Sequence, residues 1–265
     1  MLHASKRLGQ HFLVSRPVLR KIVAAADLQP SDTVLEIGPG LGALTTALAR
    51  RAERVIAVEK DAHLANMLEP RLERAGITNV TLITGDILKI PLSDLNLPDP
   101  YRVVANIPYY LTSRLIRRFL ESNPPPASML LMVQREVAER IAARPPRMNL
   151  LALSVQAYGR PTIIAAVRAG AFSPRPGVQS AILEISEIST RFFAAHHISP
   201  AELFAVARAA FNQRRKLLAN SLQRLAAGKT GALAAIKTAG LAKSARPEEL
   251  SLEEWARLTR TLAAS

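Results

Sequence analysis

The sequence predicts an α/β fold with an open, mainly parallel sheet and a small all-helical region at the C-terminus. Short apolar runs of strand length alternate with helix-length segments between residues 34 and 185, as in chains built from β-α-β units. Glycine-rich or polar residues directly follow several of these runs, and ligands of open α/β sheets bind at such strand ends. Beyond Ser186 the apolar residues recur at helical spacing.

The first half of the chain supplies four strands of the predicted sheet. A helix starts after Ser15, with Pro17 in its first turn. The strands are expected at 34–37, 54–58, 80–83 and 102–105, and the helices that follow them at 43–51, at 62–75 and after the capping residues Thr112 and Ser113.

The second half completes the sheet and adds the helical region. Strands are expected at 128–133, 162–167 and 181–185, and helices at 134–143, 150–158, 200–226, 230–239 and 251–262, the last packing Trp255. Alternating prolines in segment 172–180 argue against regular strand pairing there. Phe172, at the start of this segment, either forms one wall of a pocket or only helps to turn the chain.

Composition limits the environment and the partners of the chain. Hydrophobic residues make up 49% and cysteine is absent, so we expect a packed core and a reducing cytoplasm, without disulfides. No metal site is expected, because His11 lacks neighbouring acidic or histidine ligands in the sequence. No apolar run reaches the ~20 residues that a membrane span needs. The formal net charge of +14 favours a nucleic acid as partner over a basic surface that serves only solubility.

The glycine-rich loop after the first strand of the sheet indicates a nucleoside-containing ligand. Gly38, Gly40 and Ala43 satisfy the G-x-G-x-x-G/A fingerprint, so an NAD-dependent dehydrogenase is one interpretation. Glu59 lies 21 positions after Gly38, where an acidic residue binds ribose hydroxyls in this layout.

Other residues favour S-adenosyl-L-methionine over NAD. Glu36 adjoins the glycine loop, where a negative charge suits a cationic amino-acid group and disfavours a pyrophosphate. Asp86 ends the third strand and suits an adenine amino group. A dehydrogenase would leave the segment 106–109 without a role.

The segment Asn106-Ile107-Pro108-Tyr109 has the chemistry to orient an exocyclic amine. The amide oxygen of Asn106 and a backbone carbonyl, either just before Pro108 or of Pro108 itself, can each accept one hydrogen bond from the amine. Tyr109 offers a flat face on which a base can stack. An ordinary turn between a strand and a helix is the alternative interpretation.

The predicted helix at 200–226 is basic on one face. Its only acidic residue is Glu202, while its cationic residues are Arg208, Arg214, Arg215, Lys216 and Arg224. Such a cluster is either a solvated face or a surface that binds RNA phosphates.

Taken in order, these motifs resemble the ribosomal RNA adenine N6-dimethyltransferases, and within them the bacterial small-subunit branch, the KsgA family. The matching segments are 10–13, 36–42, 106–109, 132–140, 172–180 and 211–222, together with Glu59 and Asp86. The basic segment 211–222 distinguishes this branch from the large-subunit methylases.

The resemblance implies a role for each site residue. His11 and Leu13 would close over the methionine end of S-adenosyl-L-methionine, with Gly38 beneath it. Glu59 would bind the ribose and Asp86 the adenine amine of the cofactor. The catalytic set would be Asn106, which also touches the cofactor, with Pro108, and with Tyr109 and Phe172 on either side of the target adenine.

The resemblance also implies the organisation and partners of the protein. A Rossmann-like S-adenosylmethionine-dependent methyltransferase domain would span residues 1–186, and a helical RNA- and ribosome-binding domain residues 187–265. A cytoplasmic monomer would dimethylate two adjacent adenines in the 3′-terminal hairpin loop of small-subunit rRNA within immature small ribosomal subunits. The alternatives are a large-subunit rRNA adenine methyltransferase, a dehydrogenase and a non-catalytic assembly factor.

Overall fold

The computed structural model describes residues 10–212 and 216–263. Its largest element is a seven-stranded sheet, which confirms the α/β fold class. The strands of this sheet are β2 (Thr33–Ile37), β3 (Arg54–Glu59), β4 (Val80–Thr84), β5 (Arg102–Asn106), β6 (Ser128–Gln134), β7 (Arg160–Val167) and β9 (Ser180–Ser186). Their order is β4-β3-β2-β5-β6-β9-β7, parallel from β4 to β6 and antiparallel at β9 and β7.

The strand order changes direction between β2 and β5. From β2 the chain proceeds through β3 to β4 on one side, and then returns to place β5 and β6 on the other. The loops after β2 and β5 therefore diverge and leave a crevice between them, as at the switch point of any open α/β sheet. The strands flanking it are apolar and buried because helices cover both faces of a parallel sheet.

Five helices accompany these strands. They are α1 (Arg16–Ala26), α2 (Ala43–Ala49), α3 (Ala62–Arg74), α4 (Thr112–Leu120) and α5 (Arg135–Ile141). Gly42 caps α2 with a φ of +80°, and an added Cβ would lie 2.2 Å from the Cδ1 of Leu68 in α3. Glycine adopts that backbone angle without strain, and its lack of a side chain leaves room for Leu68 beside the glycine loop.

A two-stranded sheet contradicts the expectation that segment 172–180 takes no part in regular strand pairing. The strands β1 (Phe12–Leu13) and β8 (Phe172–Ser173) run antiparallel. They form because the pairing uses only the residues before Pro174, so that no proline has to donate a hydrogen bond. This pairing fixes the chain before α1 against the loop that precedes β9.

The remaining helices are α6 (Leu150–Gln156), α7 (Arg191–His196), α8 (Pro200–Phe211), α9 (Leu218–Ser221), α10 (Gly228–Thr238) and α11 (Leu252–Ala263). The single helix expected at 200–226 is wrong: α8 ends at Phe211, and Leu217 is extended before α9 begins. Arg214 and Arg215 lie outside the described residues. The predicted burial of Trp255 is confirmed, since its ring contacts that of Phe211 with centroids 5.4 Å apart.

The chain divides into two compact units. The first contains the residues up to Ala138 and Arg160–Ile188, and the second Glu139–Gly159 and the residues from Ser189 onward. One junction between the units lies at 188/189, and residues 139–159 belong to the second unit, which no local sequence pattern indicates. Tyr158 explains this grouping, because its ring packs against Phe193 and Phe204. Among the residues described, no helix has the length and apolar character needed to cross a membrane.

Candidate active site

A pocket opens at the carboxyl ends of β2, β3, β4 and β5, where the strand order changes direction. Its walls include nearly all of the residues that the sequence predicted to form a site. These are His11, Leu13, Gly38, Glu59, Asp86, Asn106, Pro108 and Tyr109, joined by Glu36 and Tyr110. The one predicted residue outside the lining is Phe172.

Glu59 is held by two backbone N–H groups. The N–H of Gly40 donates to its Oε2 at 3.0 Å, and the N–H of Asp61 donates to its Oε1 at 2.9 Å. Burial raises the pKa of this carboxyl, while the two N–H bonds act in the opposite direction. The carboxylate is thus fixed in orientation, with its remaining lone pairs available to accept hydrogen bonds.

Glu36 is the least exposed acidic residue of the pocket, at 1%. Its Oε2 has no hydrogen-bond partner among the described residues. Burial raises the pKa of Glu36 to about 8, and the nearby charge of Glu59 adds to the increase. A buried acceptor without a donor is unfavourable. A ligand with a cationic group or a hydrogen-bond donor at the glycine loop would therefore be stabilised by Glu36.

Asp86 lies in the turn that follows β4. The Nζ of Lys60 contacts its Oδ2 at 2.9 Å, and the N–H of Leu88 donates to its Oδ1 at 3.0 Å. The hydrogen bond from Lys60 lowers the pKa of the Asp86 carboxyl, which is ionised at neutral pH. The carbonyls of Leu88 and Ile90 in this turn accept from the guanidinium of Arg118 in α4.

A hydrogen bond to His11 orients the side chain of Asn106. Its Nδ2 donates to the backbone carbonyl of His11 at 3.2 Å. A carbonyl can only accept a hydrogen bond, so the amide nitrogen must face His11. The Oδ1 must then lie on the opposite side of the amide group, where it is available to a donor.

The carbonyl of Pro108 is already engaged. It accepts the N–H of Leu111 at 3.0 Å in the single turn that leads into α4. The carbonyl of Ile107, which adjoins the same pocket, has no such partner among the described residues. Of the two carbonyls that the sequence left open, Ile107 is therefore better placed to accept from a ligand.

Tyr109 is fixed at both its hydroxyl and its ring. The hydroxyl is 2.7 Å from the Oγ of Ser180, a fully buried residue at the start of β9. The ring stacks on that of His11, with centroids 5.9 Å apart and an interplanar angle of 26°. His11 in turn donates from Nδ1 to the carbonyl of Pro174 at 2.7 Å, so loop 172–180 and Tyr109 are linked twice.

Phe172 lies behind the pocket rather than on its surface. Its side chain is 4% exposed and belongs to the apolar core cluster that includes Val167 and Ile182. It is paired with Leu13, which does line the pocket. Phe172 therefore does not form the expected second aromatic wall in this structure. Its backbone pairs with Leu13 and holds that residue in place.

Sequence reasoning missed the residues that support the site. Lys60, Arg118 and Ser180 each contact a functional residue or its loop. The adjacency of Lys60 to Glu59 was a weak sign, but the contacts of Arg118 and Ser180 join residues 28 and 71 positions apart. No local pattern could have revealed them.

Comparison with known proteins assigns the chain to a family. The family model described as ribosomal RNA adenine dimethylase matches residues 1–264. The chain belongs to the ribosomal RNA adenine dimethylase family. Membership confirms the resemblance found in the sequence and the enzyme class, decides against a dehydrogenase, and implies S-adenosyl-L-methionine as the methyl donor.

Relatives within the family match over nearly their whole length. The chain is 48% identical over 259 residues to "Ribosomal RNA small subunit methyltransferase A" of Dehalococcoides mccartyi strain CBDB1, covering 97% of this chain and 88% of the relative. It is 43% identical over 270 residues to the protein of the same name from Moorella thermoacetica, covering 97% and 92%.

Solved structures of dimethylases share the fold. The dimethyladenosine transferase of Plasmodium falciparum superposes with a TM-score of 0.83 at 25% identity, covering 94% of this chain and 96% of that one. The 23S rRNA methyltransferase ErmE superposes with a TM-score of 0.73 at 27% identity, covering 95% and 99%. These two likenesses agree with the α/β fold read from the sequence.

Proposed function

We propose that the chain transfers methyl groups from S-adenosyl-L-methionine to the N6 amines of two adjacent adenines in the 3′-terminal hairpin loop of small-subunit rRNA. The reaction would take place in the cytoplasm, on immature small ribosomal subunits late in their assembly, and the enzyme would act as a monomer. The single observation that carries the proposal is the fixed orientation of the Asn106 amide at the pocket, which leaves its oxygen for a donor.

The amine of adenine is a weak nucleophile because its lone pair is delocalised into the ring. Asn106 Oδ1 and the carbonyl of Ile107 would accept one N–H each, and so orient the amine and favour a tetrahedral nitrogen. Holding the reacting groups in line is the main source of rate in such a transfer. The methylated nitrogen carries a positive charge and loses a proton readily, so the chain needs no dedicated base.

The pocket residues fit the proposed cofactor. Glu59, fixed by Gly40 and Asp61, would accept the two ribose hydroxyls. Asp86 would accept from the adenine amine, and the unpartnered Oε2 of Glu36 suits the cationic groups at the methionine end. His11, Leu13 and Gly38 would enclose that end. When bound, S-adenosyl-L-methionine supplies a methyl group activated by the sulfonium.

Tyr109 would provide the stacking face for the extruded adenine. An adenine in a hairpin loop is unpaired, so its extrusion costs little. Because Phe172 is covered, its proposed part is to hold Leu13 and β1 beside the pocket, and it would become the second wall only if loop 172–180 moved.

The RNA partner is supported by charge. The chain carries a formal net charge of +14, and counterion release makes such a surface bind phosphates in a salt-dependent way. The proposed RNA-binding domain includes Arg208, Lys216 and Arg224, which are described, and Arg214 and Arg215, which are not.

The test combines cofactor binding with methyl transfer. Calorimetry with S-adenosyl-L-methionine and with NAD should detect binding of the first alone. Labelled cofactor should then modify small subunits that lack adenine dimethylation, with two methyl groups on each of two adjacent adenines. Methylation of large-subunit RNA instead would indicate a large-subunit rRNA adenine methyltransferase. Cofactor binding without any methyl transfer would support a non-catalytic assembly factor.

A further inference from the structure

The rim of the pocket carries an aromatic side chain that the methyl-transfer chemistry does not use. Tyr110 lines the pocket and is 50% exposed. It is the only exposed Phe, Tyr or Trp in the part of the chain that the structure describes. An exposed aromatic ring is unusual in a chain with 5% aromatic residues, because such rings ordinarily bury their large apolar surface.

Tyr109 and Tyr110 are adjacent in the chain but differ in how they are held. Tyr109 is fixed by Ser180 and by the ring of His11, whereas Tyr110 is the next residue of the same single turn and remains at the surface. Enzymes that modify a base take the target nucleotide out of the stack and into the pocket, so the adjacent base of the strand is the second base to be placed. The second base would remain outside, where Tyr110 is found.

A basic side chain, that of Arg114, lies four residues after Tyr110. The turn at Tyr109–Leu111 runs directly into α4, so Tyr110 and Arg114 are four positions apart along one continuous helical path, and both are exposed. Arg117 is next along α4, but it is already paired with Glu121 at 2.9 Å. Arg114 forms no ion pair with any residue in the described ranges.

We propose that Tyr110 and Arg114 form a binding site for the RNA strand beside the target adenine, with the neighbouring base stacked on Tyr110 and a phosphate bound by Arg114. Single-stranded RNA is commonly held by such pairs, since every base has a face for stacking and every nucleotide a negative charge. The inference rests on the proposed function, and it assigns substrate capture to the methyltransferase unit in addition to the C-terminal helices.

Steady-state methyl transfer to unmethylated small subunits tests the kinetic consequence. Tyr110→Ala should raise the KM for subunits about 5- to 140-fold, the range expected for loss of one stacked base, while the affinity for S-adenosyl-L-methionine is unchanged. Tyr110→Phe keeps the ring and should behave as wild type. Arg114→Ala should reduce the slope of log affinity against log salt by about 0.7. Arg50→Ala is the matched control, because Arg50 is exposed at the opposite end of α2 from the glycine loop.

A binding experiment keeps the inference testable if the proposed function fails. A hairpin RNA would carry one loop adenine and, directly next to it, 2-aminopurine in place of the second, and stacking of the 2-aminopurine would quench its fluorescence. Quenching by the wild type and Tyr110→Phe, but not by Tyr110→Ala, supports the site even without methyl transfer. Equal quenching by all three proteins, or equal KM values for them, would overturn it.

Discussion

At the scale of single residues, Asn106 has the most specific proposed role: its amide nitrogen donates to the carbonyl of His11, and its amide oxygen would accept from the reacting amine. Asn106→Ala should slow methyl transfer by about 2.7–4 kcal/mol, or roughly 10²–10³ in rate, as for loss of one preorganised polar contact. Single-turnover assays with labelled cofactor would measure this step, and calorimetry would check that cofactor affinity is largely retained. Near-normal turnover would contradict the proposed orientation of the amine.

The hydroxyl of Tyr109 gives a second prediction at this scale. If Tyr109 acted only by stacking, Tyr109→Phe would leave activity unchanged. The tyrosine hydroxyl, however, forms a hydrogen bond with the buried Ser180. Removing it leaves the Oγ of Ser180 without a partner, a cost of about 1–3 kcal/mol. We therefore expect Tyr109→Phe to raise the KM for RNA and to lower the unfolding midpoint.

The double variant Tyr109→Phe, Ser180→Ala is the control for this prediction. It removes both polar partners, so it should recover stability relative to Tyr109→Phe. If the stability lost in the double variant equals the sum of the losses in Tyr109→Phe and Ser180→Ala, the hydroxyl pair does not position the ring.

At the scale of elements, Arg118 joins helix α4 to the turn that carries Asp86. Its guanidinium donates to the carbonyls of Leu88 and Ile90, and hydrogen bonds from a charged group contribute about 1.5–3 kcal/mol. Arg118→Met should raise the KM for S-adenosyl-L-methionine by roughly tenfold or more, while kcat at saturating cofactor is largely retained.

Arg117 provides the matched control on the same helix. It is exposed and forms a surface ion pair with Glu121, so Arg117→Ala should change cofactor affinity by less than about 1 kcal/mol. Equal losses of kcat and cofactor affinity in Arg118→Met would indicate a general structural defect rather than a displaced Asp86 turn.

At the scale of the whole molecule, Glu36 links folding to pH. Its pKa is about 8 in the folded protein against 4.5 as the ordinary value, so between these limits the folded state holds a proton that the unfolded state has lost. The contribution of this group to the free energy of unfolding is therefore greatest at or below pH 4.5, and it decreases as the pH rises towards and through 8. Glu36→Gln cannot lose a proton and should gain stability relative to wild type between pH 5 and pH 8.

Urea denaturation of both proteins without added cofactor, at pH 5 and at pH 8, would measure this difference. Glu53→Gln, which alters an exposed glutamate, is the control and should follow the wild type at both values. An identical pH dependence in Glu36→Gln and wild type would mean that Glu36 is ionised in the folded protein.

Local sequence patterns were sufficient to predict the α/β class, the strand ends that carry polar residues and the family. These properties depend on local periodicity and on short motifs such as 38–42 and 106–109, which are readable because neighbouring residues carry them. Parallel strands bring their carboxyl ends to one edge of the sheet, so Glu59, Asp86 and Asn106 were expected together and line one pocket.

The orientation of these side chains depends on contacts between distant parts of the chain. The carbonyl of His11 turns the Asn106 amide, the Leu111 N–H occupies the carbonyl of Pro108, and Ser180 fixes Tyr109. The pairing of β1 with β8 covers Phe172, and residues 139–159 join the C-terminal helices. These contacts join segments far apart in the chain, and their geometry depends on the packing of the whole sheet, which no local sequence pattern encodes.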